Sequence, residues 1–136
     1  MQHEQPRKLR VLVADDNDDV RRAIITILQQ AFDIVGEVTS GRALVEAAPR
    51  LAPDVVVSDV LMPLLTGVEA MHALRTAGHT PPFVLVTTDT ENALEWINLG
   101  ALGVVNKLNM PTELVIAVRS AAAGFSYLSS YARRSY

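Results

Sequence analysis

At 136 residues the chain has room for one domain, little for a second, and enough length to bury a core without covalent staples. Hydrophobic residues make up 49% and charged residues 20%, the balance of a soluble globular protein and not of a disordered one. With no cysteine, disulfides, thiol catalysis and thiolate metal sites are excluded, and a formal net charge of −3 gives no footprint for nucleic acid.

Residues 1–8 read as an N-terminal tail, since Met-Gln-His-Glu-Gln-Pro has no apolar leader. No apolar stretch reaches the ~18 residues needed to span a bilayer, so a cytoplasmic, membrane-free protein is expected. Leu9–Val13 is the first predicted strand, followed by a helix with Val20, Ile24, Ile27 and Leu28 on one face. Ile34–Val38 is the second strand, and Ser40 caps a helix that buries Leu44 and Ala47. Asp54–Ser58 is the third; the helix after it opens at Thr66, carries Val68, Met71 and Leu74, and stops at Gly78. Phe83–Thr87 is the fourth, with Ala93, Leu94 and Ile97 on the inward face of the next helix. Gly103–Val105 is the fifth, and Pro111 opens a last helix carrying Leu114, Ala117, Val118 and Ala121 inward. Three strands are nearly continuous apolar runs, as expected where helices cover both sheet faces. Residues 9–123 thus predict one α/β domain, a doubly wound five-stranded parallel sheet. Residues 124–136 read as a C-terminal tail or the start of a linker.

Such sheets place ligands at the carboxyl ends of their strands. There the chain puts Asp15 and Asp16, Asp59, Thr87 and Lys107. Gathered carboxylates repel: two unit charges ~4 Å apart oppose each other by about 4 kcal/mol at an effective dielectric of ~20. A hard cation supplies the reason to gather them, and Mg²⁺ takes a few carboxylates plus waters and phosphate oxygens. Asp59, with the central strand behind it, is the candidate nucleophile toward phosphorus. Asp15 and Asp16 are candidate metal ligands with Asp59, and the Leu61 backbone carbonyl is a further one. Lys107 and the Thr87 hydroxyl would neutralise two phosphoryl oxygens, and Mg²⁺ a third.

These motifs, Val-Ala-Asp15-Asp16-Asn, Pro-Asp-Val-Val-Val-Ser-Asp59-Val-Leu-Met62-Pro63, Val-Leu-Val-Thr87-Thr and Gly100-Ala-Leu-Gly103-Val-Val-Asn-Lys107, resemble the receiver domains of two-component response regulators. The likeness covers residues 9 to 123 in order and spacing. The stretch Gly124-Phe-Ser-Tyr127-Leu128-Ser is similar to the end of receivers in the NarL/FixJ group, which precede a helix-turn-helix domain. The resemblance implies a flavodoxin-like (βα)₅ fold with strand order 2-1-3-4-5. It also implies Mg²⁺-dependent transfer of phosphate to Asp59 from a sensor histidine kinase, a phosphotransfer protein or a small phosphodonor such as acetyl phosphate. The adduct, carrying about −1.5 to −2 charge, would then draw Thr87 inward and shift the face of the fourth helix, fifth strand and fifth helix. The output implied is homodimerisation and transcriptional regulation, with no enzyme activity beyond the chemistry of Asp59. No helix-turn-helix is present, so DNA binding is not expected of these residues. A stand-alone regulator and a receiver cut from a longer one both stay open.

Several positions depart from the family pattern. Val104 stands where Tyr or Phe is frequent, Thr88 where a small residue is usual, and Leu108 where Pro or Asp often follows the lysine. Leu64-Leu65-Thr66-Gly67 replaces the usual early glycine turn after Pro63. Asp89 and Leu61 flank the route of hydrolytic water. Trp96, Leu99, Val104, Val115 and Ile116 are candidate interface residues, weighed against simple partial burial. Two other functions compete. A Mg²⁺-dependent phosphatase with an aspartyl nucleophile needs a second acid two residues on, where Leu61 stands. A pseudo-receiver that binds partners without turning over phosphate is the remaining alternative. Asp15-Asp16-Asn17-Asp18-Asp19 also reads as an acidic, capped helix start. His3, His72 and His79 lack ligand spacing, and Met62 and Met71 read as packing.

Overall fold

The computed structural model describes residues 7–129. Its elements run β1 (Arg10–Ala14), α1 (Asp18–Leu28), β2 (Asp33–Val38), α2 (Gly41–Leu51), β3 (Val55–Asp59), α3 (Gly67–Thr76), β4 (Phe83–Thr87), α4 (Ala93–Asn98), β5 (Gly103–Asn106), α5 (Met110–Ala122) and β6 (Tyr127–Leu128). All strand pairs are parallel, in the order β2-β1-β3-β4-β5-β6. The predicted order 2-1-3-4-5 is present, extended by a short sixth strand. Of the predicted tails, residues 1–6 and 130–136 lie outside the described residues.

Strand alternation divides the core into two layers. Leu12, Ala14, Val56, Phe83, Leu85 and Val104 face α2, α3 and α4, with Leu44, Ala70, Met71 and Leu74 against them. Val11, Val13, Val55, Val57, Val84, Val86 and Val105 face α1 and α5, with Ile24, Leu28, Leu114, Ala117 and Val118 opposite. Burying each large aliphatic side chain contributes roughly 1.5–3 kcal/mol, so the doubly covered strands anchor the loops at their ends. Local chemistry fixes where the helices begin. The Asn17 side chain accepts from Val20 N, that of Ser40 from Ala43 N, and Thr66 with Glu69 forms a reciprocal capping box.

Two sequence expectations need correction. Leu94 does not face inward: it is 64% exposed, and the inward arc of the six-residue α4 is Ala93, Trp96 and Ile97. The i, i+3, i+4 spacing of that arc is the usual apolar stripe of a short helix, and it carries Trp96 onto the core. Val104, proposed for an interface, is fully buried. Its strand is not an edge, because β6 pairs on its outer side, with Tyr127 N donating to Leu102 O and Ser129 N to Val104 O, each at 2.8 Å.

Candidate functional site

The carboxyl ends of β1, β3, β4 and β5 deliver the site. Asp15 follows the last residue of β1 and is buried, whereas its neighbour Asp16 is exposed at the start of the loop into α1. Asp59 is the last residue of β3, buried, and registers against Val86 of β4. Carboxylate oxygens of Asp15, Asp16 and Asp59 all lie within 4.8 Å of one another. Lys107 follows β5, and its Nζ donates to Asp59 Oδ2 at 3.3 Å, with both side chains largely buried. Four of the predicted site residues therefore share one neighbourhood.

Each oxygen of the acidic group has a distinct fate. Asp15 Oδ1 accepts from Asn17 N at 2.9 Å, but Asp15 Oδ2 is buried with no hydrogen-bond partner among the described residues. Asp59 Oδ1 accepts from Leu61 N at 3.3 Å, and Oδ2 faces Lys107. Burial pushes the Asp15 carboxyl above the ordinary carboxylate range; the Asn17 amide opposes this, the charge of Asp59 adds to it, Lys107 opposes it, and Asp16 adds again. An uncompensated buried oxygen among like charges is a destabilising arrangement for the bare protein. The donor set is all oxygen and mostly anionic, which suits a hard divalent ion of the Mg²⁺ type.

The remaining predicted site residues sit at the rim. Thr87, buried at the end of β4, donates its hydroxyl hydrogen to Asp89 O at 2.9 Å and accepts from Asp89 N at 3.0 Å. The hydroxyl is thus engaged with its own loop, and among the described residues no hydrogen bond joins it to the carboxylates. Leu61 is exposed beside Asp59. Of the interface candidates, Leu99 and Ile116 are about half exposed, while Trp96 and Val115 pack partly buried against the two core layers.

Three supporting residues escaped sequence reasoning. Gly67 opens α3 directly against the end of β3: a Cβ there would stand 2.3 Å from Asp59 O and 2.9 Å from Ser58 Oγ. The glycine that seemed displaced along the loop after Pro63 is the one this close approach requires. Asn106, buried at the end of β5, accepts from Leu108 N at 2.8 Å and shapes the turn that presents Lys107. Arg21, one turn into α1, donates to the Asp15 carbonyl at 3.0 Å. A cation at i+3 from Asp18 was visible in the sequence, but its reach back to Asp15 was not.

A parallel (βα)₅ sheet with acidic groups and a lysine at its carboxyl edge is the arrangement of a receiver-type signalling domain. The comparisons give the family. The sequence profile of the response regulator receiver domain matches residues 11–119, and the chain belongs to that family. It is 36% identical over 121 residues to a transcriptional regulatory protein of Bacillus subtilis, YxjL, covering 86% of this chain and 56% of that one. It is 33% identical over 126 residues to the response regulator UvrY of Escherichia coli, covering 90% of this chain and 58% of that one. The chain thus spans little more than half the length of these relatives. Among solved structures, the receiver domain of NarL from Mycobacterium tuberculosis superposes with a TM-score of 0.82 at 31% identity, covering 88% of this chain and 99% of that one. These matches agree with the NarL-like group suggested by the sequence. Among the described residues no helix is long and apolar enough to cross a membrane.

Proposed function

We propose that this chain accepts a phosphoryl group on Asp59 in a Mg²⁺-dependent reaction, as the receiver of a two-component regulator. The observation that carries this reading is the contact of Lys107 Nζ with Asp59 Oδ2 at 3.3 Å, beside an Asp15 oxygen that is buried without a partner among the described residues. Asp15, Asp16 and Asp59, with the backbone carbonyl of Leu61, would hold the ion. When bound, Mg²⁺ supplies positive charge to the phosphoryl oxygens.

The chain's own residues do the rest. An Asp59 carboxylate oxygen attacks phosphorus, the bond to the donor's leaving group breaks on the opposite side, and an acyl phosphate results. Lys107 transfers its hydrogen bond from Asp59 Oδ2 to a phosphoryl oxygen. Thr87 gives up the Asp89 carbonyl to donate to another, and this exchange moves the loop leading into α4. That movement is the readout, and exposed Leu99 and Ile116 near α4 and on α5 are the proposed contacts of an activated homodimer. The phosphodonor is a sensor histidine kinase or a phosphotransfer protein, the setting cytoplasmic and the output transcriptional. DNA binding is assigned to no residue of this segment.

The test is incubation with acetyl phosphate and Mg²⁺ followed by intact-mass spectrometry. Gain of one phosphoryl group, dependent on Mg²⁺ and lost in Asp59→Asn, is expected. No gain in wild type, with an unchanged spectrum on adding beryllium fluoride, would establish the non-phosphorylated interaction module instead.

A further inference from the structure

Arg21 is bound in a way that its place on a surface helix does not require. Its guanidinium reaches three elements: Nη1 donates to the Asp15 carbonyl at 3.0 Å, Nη2 to Asp18 Oδ1 at 2.7 Å, and Nε to Glu37 Oε1 at 2.8 Å. The Arg21 side chain is only 14% exposed, while Asp18 and Glu37 are 74% and 54% exposed. Ion pairs with such solvated carboxylates contribute little stability by themselves. What they do is fix the plane of a guanidinium whose remaining donor then meets one backbone oxygen.

That oxygen belongs to the residue whose orientation matters most. Asp15 N donates to Val38 O at 3.1 Å, Asp15 Oδ1 accepts from Asn17 N at 2.9 Å, and the Asp15 carbonyl accepts from Arg21. Backbone donor, backbone acceptor and one carboxylate oxygen are all engaged, which leaves Oδ2 buried and without a partner among the described residues. The Arg21–Asp18 pair ties the same clamp to the first turn of α1, so the loop carrying Asp16 is held at both ends.

We propose that Arg21 is a positioning residue for the acidic site, fixing the Asp15–Asp16 loop in the arrangement that takes a divalent cation. This rests on the Mg²⁺ reading above and goes beyond it. The proposal has a distinctive sign. A cationic side chain near a cation site opposes binding through space, so removing it tightens Mg²⁺ if charge is all it contributes. If it acts by holding the loop, removing it weakens Mg²⁺. Groups that orient metal ligands from behind change affinity by about 10–100-fold when lost.

The experiment is a titration with Mg²⁺ alone at constant ionic strength. It follows the backbone amide signals of Asn17 and Leu61 in wild type, Arg21→Ala and Arg21→Lys. The expected result is about tenfold weaker binding in both variants. Lysine fails to rescue because one ammonium cannot span three acceptors in different elements. Arg21→Lys keeps the helix, the charge and the aliphatic stem, so it is read even if Arg21→Ala does not fold. Thermal midpoints in EDTA are measured alongside. A lower midpoint with an unchanged dissociation constant overturns the proposal in favour of a purely structural arginine, and a tighter constant overturns it in favour of bare charge. A wild-type chain without saturable shifts sinks the cation site itself, a failure visible before any variant is compared.

Discussion

Adding Mg²⁺ to metal-free protein should raise its stability, and the size of the effect follows from the site. Three carboxylates have oxygens within 4.8 Å of one another, and among the described residues Lys107 alone forms a salt bridge to the group, at Asp59 Oδ2. A pair of unit charges at ~4 Å repels by about 4 kcal/mol at an effective dielectric of ~20, and unfolding relieves that repulsion. The unfolded chain does not assemble the three groups, so an ion held by them would bind the folded state selectively. Mass action then adds about 1.4 kcal/mol at ten times the dissociation constant. With roughly 2.1 cal/mol/K of unfolding entropy per residue over 136 residues, the melting midpoint should rise by about 5 °C. Circular-dichroism melts in EDTA and then in a MgCl₂ series, against NaCl at matched ionic strength, measure it. Asp15→Asn and Asp16→Asn should lose the increment. A midpoint indifferent to Mg²⁺, or the same increment in Asp15→Asn, would refute the reasoning.

Other outcomes are expected from single residues. Because burial raises the Asp15 carboxyl above its ordinary 3.8, the folded state holds that proton more tightly than the unfolded chain does. Its contribution is complete below pH 3.8 and is lost as pH rises through the folded value, so urea titrations of metal-free Asp15→Asn should show a flatter profile and higher stability at neutral pH. Lys107→Ala should slow acetyl-phosphate labelling of Asp59 by about 10²-fold, because it removes the cation proposed to meet the incoming phosphoryl oxygen; a mass-spectrometric time course reads it. Leu64 has φ of 72° and is 71% exposed, so Leu64→Gly should raise stability by about 1 kcal/mol in urea unfolding by removing left-handed strain. Ser129 donates to Glu113 Oε1 at 2.8 Å and accepts from Asn109 Nδ2 at 3.0 Å, so Ser129→Ala should cost about 1–2 kcal/mol by the same measurement.

The fold was legible because its signal is local and repeated. Apolar runs such as Val55–Val57 and Phe83–Val86 admit little besides doubly covered strands, and Asn17, Ser40 and Thr66 cap helices by short-range chemistry. The acidic cluster was legible for a related reason. In a parallel sheet, residues just past successive strands must arrive at one edge, so Asp15, Asp59 and Lys107 converge by topology alone. Thr87 was placed correctly on its strand, but the direction of its hydroxyl depends on the Asp89 peptide, which no spacing reveals. Leu94 was misplaced because three apolar positions in a six-residue helix fix its facing angle poorly.

The sixth strand escaped because its pairing partner lies far away in sequence. Tyr127 and Leu128 look like a tail until β5 offers them a free edge, and a two-residue strand has no periodicity of its own. That pairing alters the meaning of Val104. In the sequence it is an apolar residue on a presumed edge strand, a candidate for contact with another molecule. With β6 on its outer side and Ser129 bonded to Glu113 and Asn109, the edge is already closed by the chain itself. The β5 edge is therefore not offered to a partner, whereas Leu99, just past α4, and Ile116 on α5 remain exposed. The Ser129 latch ties the segment that leaves α5 to the turn that follows Lys107, through Asn109.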